Sequence, residues 1–259
     1  GNLAVGGTGK TPMVEYLVKL LKDKYKTATL SRGYKRKTKG FAIADANTTA
    51  IDIGDEPMQF HRKFPDITVA VGEERLVAIP QLLHSRPDTR VIILDDAFQH
   101  RSVRAGLNIL LTEYKKLYTF SLMRLAGDLR DVPSGSKRAH IIVVTKCPAD
   151  ITAEKREQVI RELNPREDQL VFFTEIVYDR PYHLFTHKPA SIQPDSDILL
   201  LCGIANPRPL KDFLTAHVQS YDMIRYADHH IFTMEDLAEI KKHYDKLKQS
   251  GKIILTTEK

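Results

Sequence analysis

The chain has 259 residues, 42% of them hydrophobic, enough for one large or two modest packed domains and unlike a disordered or fibrous protein. Its formal charge of +6 favours anionic partners (nucleotides, phosphorylated compounds, nucleic acid or acidic membranes) without choosing among them. The two cysteines, Cys147 and Cys202, are far apart and border apolar runs, which argues against a disulfide framework or a CxxC zinc site.

The N-terminal run Ala4-Val5-Gly6-Gly7-Thr8-Gly9-Lys10-Thr11 is a Walker A loop with one departure, Ala4 where a glycine is usual. Gly6, Gly7 and Gly9 let backbone N–H groups close around phosphate oxygens, with Thr8 between them. Lys10 reaches the β- and γ-phosphates, and Thr11 offers a hydroxyl to Mg²⁺. An amphipathic helix over 13–21 follows at once and directs its positive end at the phosphates.

Short apolar runs at 27–30, 67–71, 91–94, 107–111, 141–144 and 170–173 read as buried strands. Helical patterns at 74–83 and 153–163 lie between some of them. This alternation predicts a P-loop NTPase-like α/β fold, a mostly parallel sheet with helices on both faces. Residues 178–196 hold Pro181, Pro189 and Pro194 and read as a linker. Beyond it, strands at 197–202, 223–226 and 252–257 and helices at 207–217 and 234–249 predict a smaller α/β domain. The expected division is 1–177, linker 178–196, and 197–259. No run of eighteen apolar residues occurs. The abrupt start at Gly1 and stop at Lys259 predict that both ends are cut.

Three polar clusters complete the reading. The strand over 91–94 runs into Asp95-Asp96, carboxylates of Walker B character at the sheet edge where Mg²⁺ and phosphates bind. Gly54-Asp55-Glu56-Pro57 is an acidic turn whose proline suits a helix start, with a helix cap as its plainer role. Asp228-His229-His230 places imidazoles beside a carboxylate, a pattern for a base or relay but also common at surfaces. Thr145-Lys146-Cys147-Pro148 is similar to a guanine-binding signature, yet Pro148 stands where the guanine-binding aspartate belongs, so ATP is favoured over a GTPase switch. A nucleic-acid-binding module is the other rival, and no helix-turn-helix, zinc-finger or RNP-type motif supports it.

Read together, these motifs resemble the lipid A 4′-kinase family in composition and order. The resemblance also rests on Ser31-Arg32-Gly33-Tyr34, Asp95-Asp96-Ala97-Phe98-Gln99-His100, Ala126-Gly127-Asp128-Leu129-Arg130-Asp131, Gly203-Ile204-Ala205-Asn206-Pro207 and Thr256-Thr257-Glu258-Lys259. It implies ATP-dependent, Mg²⁺-assisted phosphorylation of the 4′-hydroxyl of an acylated glucosamine disaccharide 1-phosphate. It assigns Lys10, Asp96 and Arg130 to the active site, Asp55 as general base and His229 as the partner that tunes it. Asp95, Asp96, Glu56, Gln99 and Thr11 are implied around the metal. Asp131 departs from the glutamate usual there. The resemblance further implies a membrane helix upstream of Gly1 and a place on the cytoplasmic face of the bacterial inner membrane. The basic segment Arg32, Lys35, Arg36, Lys37 and Lys39 is then expected either to face anionic headgroups or to be simply solvated.

Overall fold

The computed structural model describes residues 1–4, 7–120, 131–204, 206–228, 230–247 and 251–258. The chain forms two compact units, Gly1–Ile176 and Val177–Lys259.

In the first unit, α1 (Lys10–Leu21) leads into β1 (Thr27–Ser31), whose five residues are all buried. A buried central strand of this kind is expected where helices cover both faces of a sheet. The two-residue edge strand β2 (Ala42–Ile43), the short helix α2 (Ala50–Ile53) and α3 (Asp55–Lys63) follow. Next come β3 (Thr68–Val71), α4 (Arg75–Ser85) and β4 (Val91–Leu94). The strand order is β2-β3-β1-β4, with β1 parallel to β3 and β4 and only β2 antiparallel. Strand alternation sends Val69 and Val71 to one face, where Val14 and Val18 of α1 and Phe60 of α3 meet them. Ala28, Leu30 and Ala70 point the other way, onto Ala78 and Leu82 of α4.

The unit continues through β5 (Ile109–Glu113), β6 (Ile141–Thr145), α5 (Ala153–Leu163) and β7 (Leu170–Phe173). These strands form a parallel sheet in the order β5-β6-β7. The N-terminal residues run alongside β5: Asn2 bridges Leu111 in parallel, and Leu111 N donates to Gly1 O at 2.8 Å. Leu3 and Ala4 are thereby buried in the core of this half, with Leu110, Ile142, Val144 and Val159.

The second unit contains β8 (Asp197–Cys202), α6 (Arg208–His217), β9 (Tyr221–Arg225), α7 (Met234–Lys246) and β10 (Lys252–Thr256). Its all-parallel sheet has the order β10-β8-β9. Leu210 and Leu214 of α6 pack on Ile198 and Leu200, while Ile240 of α7 packs against Leu199 on the opposite face. Among the described residues, no helix is long and apolar enough to cross a membrane.

Candidate active site

The phosphate loop is shaped by glycine conformations and one buried asparagine. Gly7 (φ 65°) and Gly9 (φ 83°) occupy the left-handed region, which side-chain-bearing residues adopt at a cost. Gly9 caps α1 with backbone only, so no side chain competes with an anion for the N–H groups of the first turn. Asn2, fully buried, donates from Nδ2 to Ala4 O at 2.7 Å and to Thr8 Oγ1 at 2.9 Å. Its Oδ1 accepts from Lys10 Nζ at 3.4 Å. Lys10 Nζ also lies 3.6 Å from Asp96 Oδ1, so loop and carboxylate face each other. Thr11 follows Lys10 in the first turn of α1, half-buried.

The carboxylates sit just past the carboxyl end of β4. Asp95 is buried, and its carboxyl is raised above the ordinary range, first by burial and next by the charge of Asp96; Glu56 adds to the same effect. Asp96 has φ 46°, an uncommon conformation for a residue with a side chain and one that clusters at functional sites. Gln99 Nε2 donates to Asn2 O at 2.7 Å and ties this turn to the strand-like entry of the phosphate loop.

Besides Asn2, two residues join the site that sequence reasoning did not single out as site residues. Arg75, the first residue of α4, is 1% exposed; it donates to Gly72 O, and its Nη2 donates to Asp95 O at 3.3 Å. A buried guanidinium beside two carboxylates is a charge-compensating element. His100 lies near enough to feel it: its pKa is lowered by burial and then by the charges of Arg75 and Arg32. An arginine opening an amphipathic helix carries no sequence signal of burial, whereas His100 was within reach as the last residue of the 95–100 motif.

Asp55 opens α3, and Glu56 and Pro57 follow in its first turn, as the proline suggested. The turn before it packs backbone to backbone on the Ser31-Arg32-Gly33-Tyr34 turn: a Cβ on Gly54 (φ 93°) would lie 3.0 Å from Tyr34 O. The basic segment divides. Arg32, Lys35, Lys37 and Lys39 are exposed, but Arg36 is turned inward, its side chain 2% exposed. It is 2.6 Å from Glu73 Oε1, and Glu73 Oε2 accepts from Gly40 N at 3.0 Å. Arg36 is therefore a clip between the 33–40 loop and the approach to α4, and neither a headgroup contact nor a solvated charge.

On the other flank of the phosphate loop, Thr145 Oγ1 donates to Thr8 O at 3.0 Å. Asp131 is held between Arg101 (2.9 Å) and Arg138 (2.6 Å), and Arg138 Nη1 also donates to Phe98 O at 2.8 Å. The shorter acid is thus a bracket behind the 95–100 turn. Gly6, Arg130 and His229 lie outside the described residues. Among the described residues, no three His, Cys, Asp or Glu side chains converge as a self-sufficient metal site.

Parallel strands whose carboxyl ends gather a glycine loop, a lysine and two carboxylates define a P-loop phosphotransferase. Comparison with known proteins narrows the class. The whole chain, residues 1–259, matches the family described as "LpxK: Tetraacyldisaccharide-1-P 4'-kinase". It is 46% identical over 267 residues to a tetraacyldisaccharide 4′-kinase of Bacteroides fragilis (strain YCH46), an alignment spanning all of this chain and 71% of that protein. It is likewise 46% identical over 260 residues to the corresponding protein of Flavobacterium johnsoniae, spanning all of this chain and 74% of the relative. Among solved structures it is similar to the "apo" form of LpxK from Aquifex aeolicus in complex with ATP, with a TM-score of 0.71 and 29% identity. That match covers all of this chain and 76% of the other. The chain belongs to the tetraacyldisaccharide 4′-kinase family.

Proposed function

We propose that this chain transfers the γ-phosphoryl group of ATP to the 4′-hydroxyl of a tetraacyldisaccharide 1-phosphate, with Mg²⁺, at the cytoplasmic face of the bacterial inner membrane. The observation that carries the reading is Lys10 Nζ, 3.6 Å from Asp96, above an α1 N-terminus whose glycine cap leaves room for phosphate. The relative solved with ATP supports ATP over GTP.

In this reading Gly6, Gly7, Thr8 and Gly9 cradle the phosphates, and Lys10 and Arg130 stabilise the charge that develops on the transferring group. Thr11, Asp95, Asp96, Glu56 and Gln99 are the residues that would hold Mg²⁺, a hard cation suited by hydroxyl, carboxylate and amide oxygens. When bound, the ion neutralises phosphate charge. Asp55 accepts the proton of the sugar hydroxyl, with His229 tuning its basicity. Residues 1–177 serve as the nucleotide-binding domain and 197–259 as the smaller α/β domain. Exposed Arg32, Lys35, Lys37 and Lys39 supply attraction to an anionic membrane surface.

The test is transfer of radiolabelled γ-phosphate to the tetraacyl disaccharide 1-phosphate, with ATP and GTP in parallel. Label transfer from ATP is expected; no transfer from either nucleotide would sink the proposal.

A further inference from the structure

The turn that follows β4 is held by residues to which the phosphotransfer reading gives no role. Asp96 stands at φ 46°, a conformation that persists only where its surroundings enforce it. Two holds lie toward the sheet and the phosphate loop: Asp95 N donates to Leu30 O at 3.0 Å, and Gln99 Nε2 donates to Asn2 O at 2.7 Å. A third comes from Arg138, which ends the 3₁₀ helix Pro133–Arg138. Its Nη1 donates to Phe98 O at 2.8 Å and its Nη2 to Asp131 Oδ2 at 2.6 Å, and its Cζ lies 4.5 Å from the centre of the Phe98 ring. Gly135 leaves room for this fork: a Cβ there would stand 3.1 Å from Asp131 Oδ2 and 3.3 Å from Arg138 Nη2.

Asp131 has two arginine partners, and they differ. The Arg101 side chain is 64% exposed, so solvent screens its pair; that of Arg138 is 33% exposed and that of Asp131 only 10%. Asp131 Oδ1 also accepts from Val132 N at 2.9 Å, which fixes the carboxylate before it meets the guanidinium. A charge-assisted bond to a planar fork gives direction as well as attraction. Asp131 therefore aims Arg138, and Arg138 sets the carbonyl of Phe98, two residues after Asp96 and one before Gln99. In sequence Asp131 directly follows Arg130, so the same fork ties the chain after that residue to the carboxylate turn.

We infer that Arg138, aimed by Asp131, is a positioning residue of the Mg²⁺ side of the nucleotide site: it fixes the turn that presents Asp95, Asp96 and Gln99. The inference rests on the reading of that turn given above. Partners that orient metal-holding side chains without touching the ion commonly govern its affinity about 10- to 100-fold.

The experiment is calorimetric titration of the full chain with the β,γ-imido analogue of ATP, with and without Mg²⁺, alongside melting temperatures. Wild type is expected to bind the analogue more tightly with Mg²⁺. Arg138→Lys keeps a charge without the fork, and Asp131→Asn keeps the shape without the charge that aims it. In both, the gain from Mg²⁺ should fall by about tenfold while Mg²⁺-free affinity stays within about twofold. Asp131→Glu restores a carboxylate and should recover most of the gain that Asp131→Asn loses. Arg101→Ala should stay within about twofold of wild type, since its pair is exposed. An undiminished gain in Arg138→Lys and Asp131→Asn, whatever their melting temperatures, would make the fork a strut and overturn the inference. Equal losses with and without Mg²⁺, or as large a loss in Arg101→Ala, would overturn it too. A wild-type chain that binds the analogue with no gain from Mg²⁺ refutes the inference alone, whereas one that binds no nucleotide removes the nucleotide reading with it.

Discussion

Asn2 is the residue whose removal should most directly test how the phosphate loop is held. Its side chain is fully buried and serves three partners: Ala4 O, Thr8 Oγ1 and Lys10 Nζ. Asn2→Ala deletes all three and leaves a carbonyl and a hydroxyl in a space water does not readily enter. Each net hydrogen bond is worth about 0.5–1.5 kcal/mol, and each stranded buried group costs about 1–3 kcal/mol. The Lys10 contact at 3.4 Å is long and only part-buried, so the two short bonds dominate. A loss of about 2–4 kcal/mol is expected, since loop relaxation recovers part of the full sum. Asn2→Asp keeps the shape but turns a donor into an acceptor facing Ala4 O, and is expected to be no better. Urea unfolding of wild type and both variants, read from midpoint and slope, gives the cost; ADP titration reports whether the loop still forms. A change below about 0.5 kcal/mol in Asn2→Ala with unaltered ADP affinity would refute the view that Asn2 organises the loop.

Other predictions concern chemistry and charge. Lys10→Ala should lower turnover by about 10²–10³-fold with the fold intact by circular dichroism, and wild-type-like turnover would remove Lys10 from the mechanism. Asp55→Ala and His229→Ala should each depress kcat strongly, and the double variant should be little worse than the more damaging single; fully multiplicative losses would separate the two roles. Asp95 carries a raised carboxyl pKa caused first by burial, so the folded state prefers its protonated form. Stability therefore falls as pH rises from the unfolded carboxylate pKa, about 4, through the folded value, and the deficit persists at neutral pH. Asp95→Asn should then raise the melting temperature of the ligand-free chain at pH 7 more than at pH 4 while lowering activity, and an equal shift at both pH values would contradict this assignment.

The place of Asp95 and Asp96 at the carboxyl edge was readable from sequence because it lies where a strand pattern ends. The 91–94 run stops at Asp95, and the residues over 170–173 and 153–163 form the strand and helix they suggested. Pairing moved other boundaries. The apolar run at 107–111 became Ile109–Glu113 because β6 sets the register from Ile109 opposite Ile141; Leu107 is left exposed, and Asn108 N is bonded to His140 Nδ1. Likewise β9 starts at Tyr221 rather than 223, opposite Ile198. β2 has two residues and α2 four, too short for any period to show. What marks α2 is local chemistry, Asp52 accepting from Thr49 N at 2.8 Å and from Thr49 Oγ1 at 2.7 Å. Arg75, Arg36 and Asn2 were illegible as interior residues for one reason. Each is buried by partners that only the fold delivers: β4's end, Glu73 and the phosphate loop.

The bond from Thr145 Oγ1 to Thr8 O joins residues 137 positions apart, and Gln99 to Asn2 O spans 97. Closing loops of that length is entropically costly and late in folding. The nucleotide cradle is therefore expected to take shape after most of the first unit's sheets have assembled. A partly folded chain would present the motif without the geometry, and so would neither trap nor spend nucleotide. Pulse-labelled hydrogen exchange during refolding should show the amides of residues 7–10 gaining protection after those of β1, β3 and β4; protection of the loop first would contradict this order.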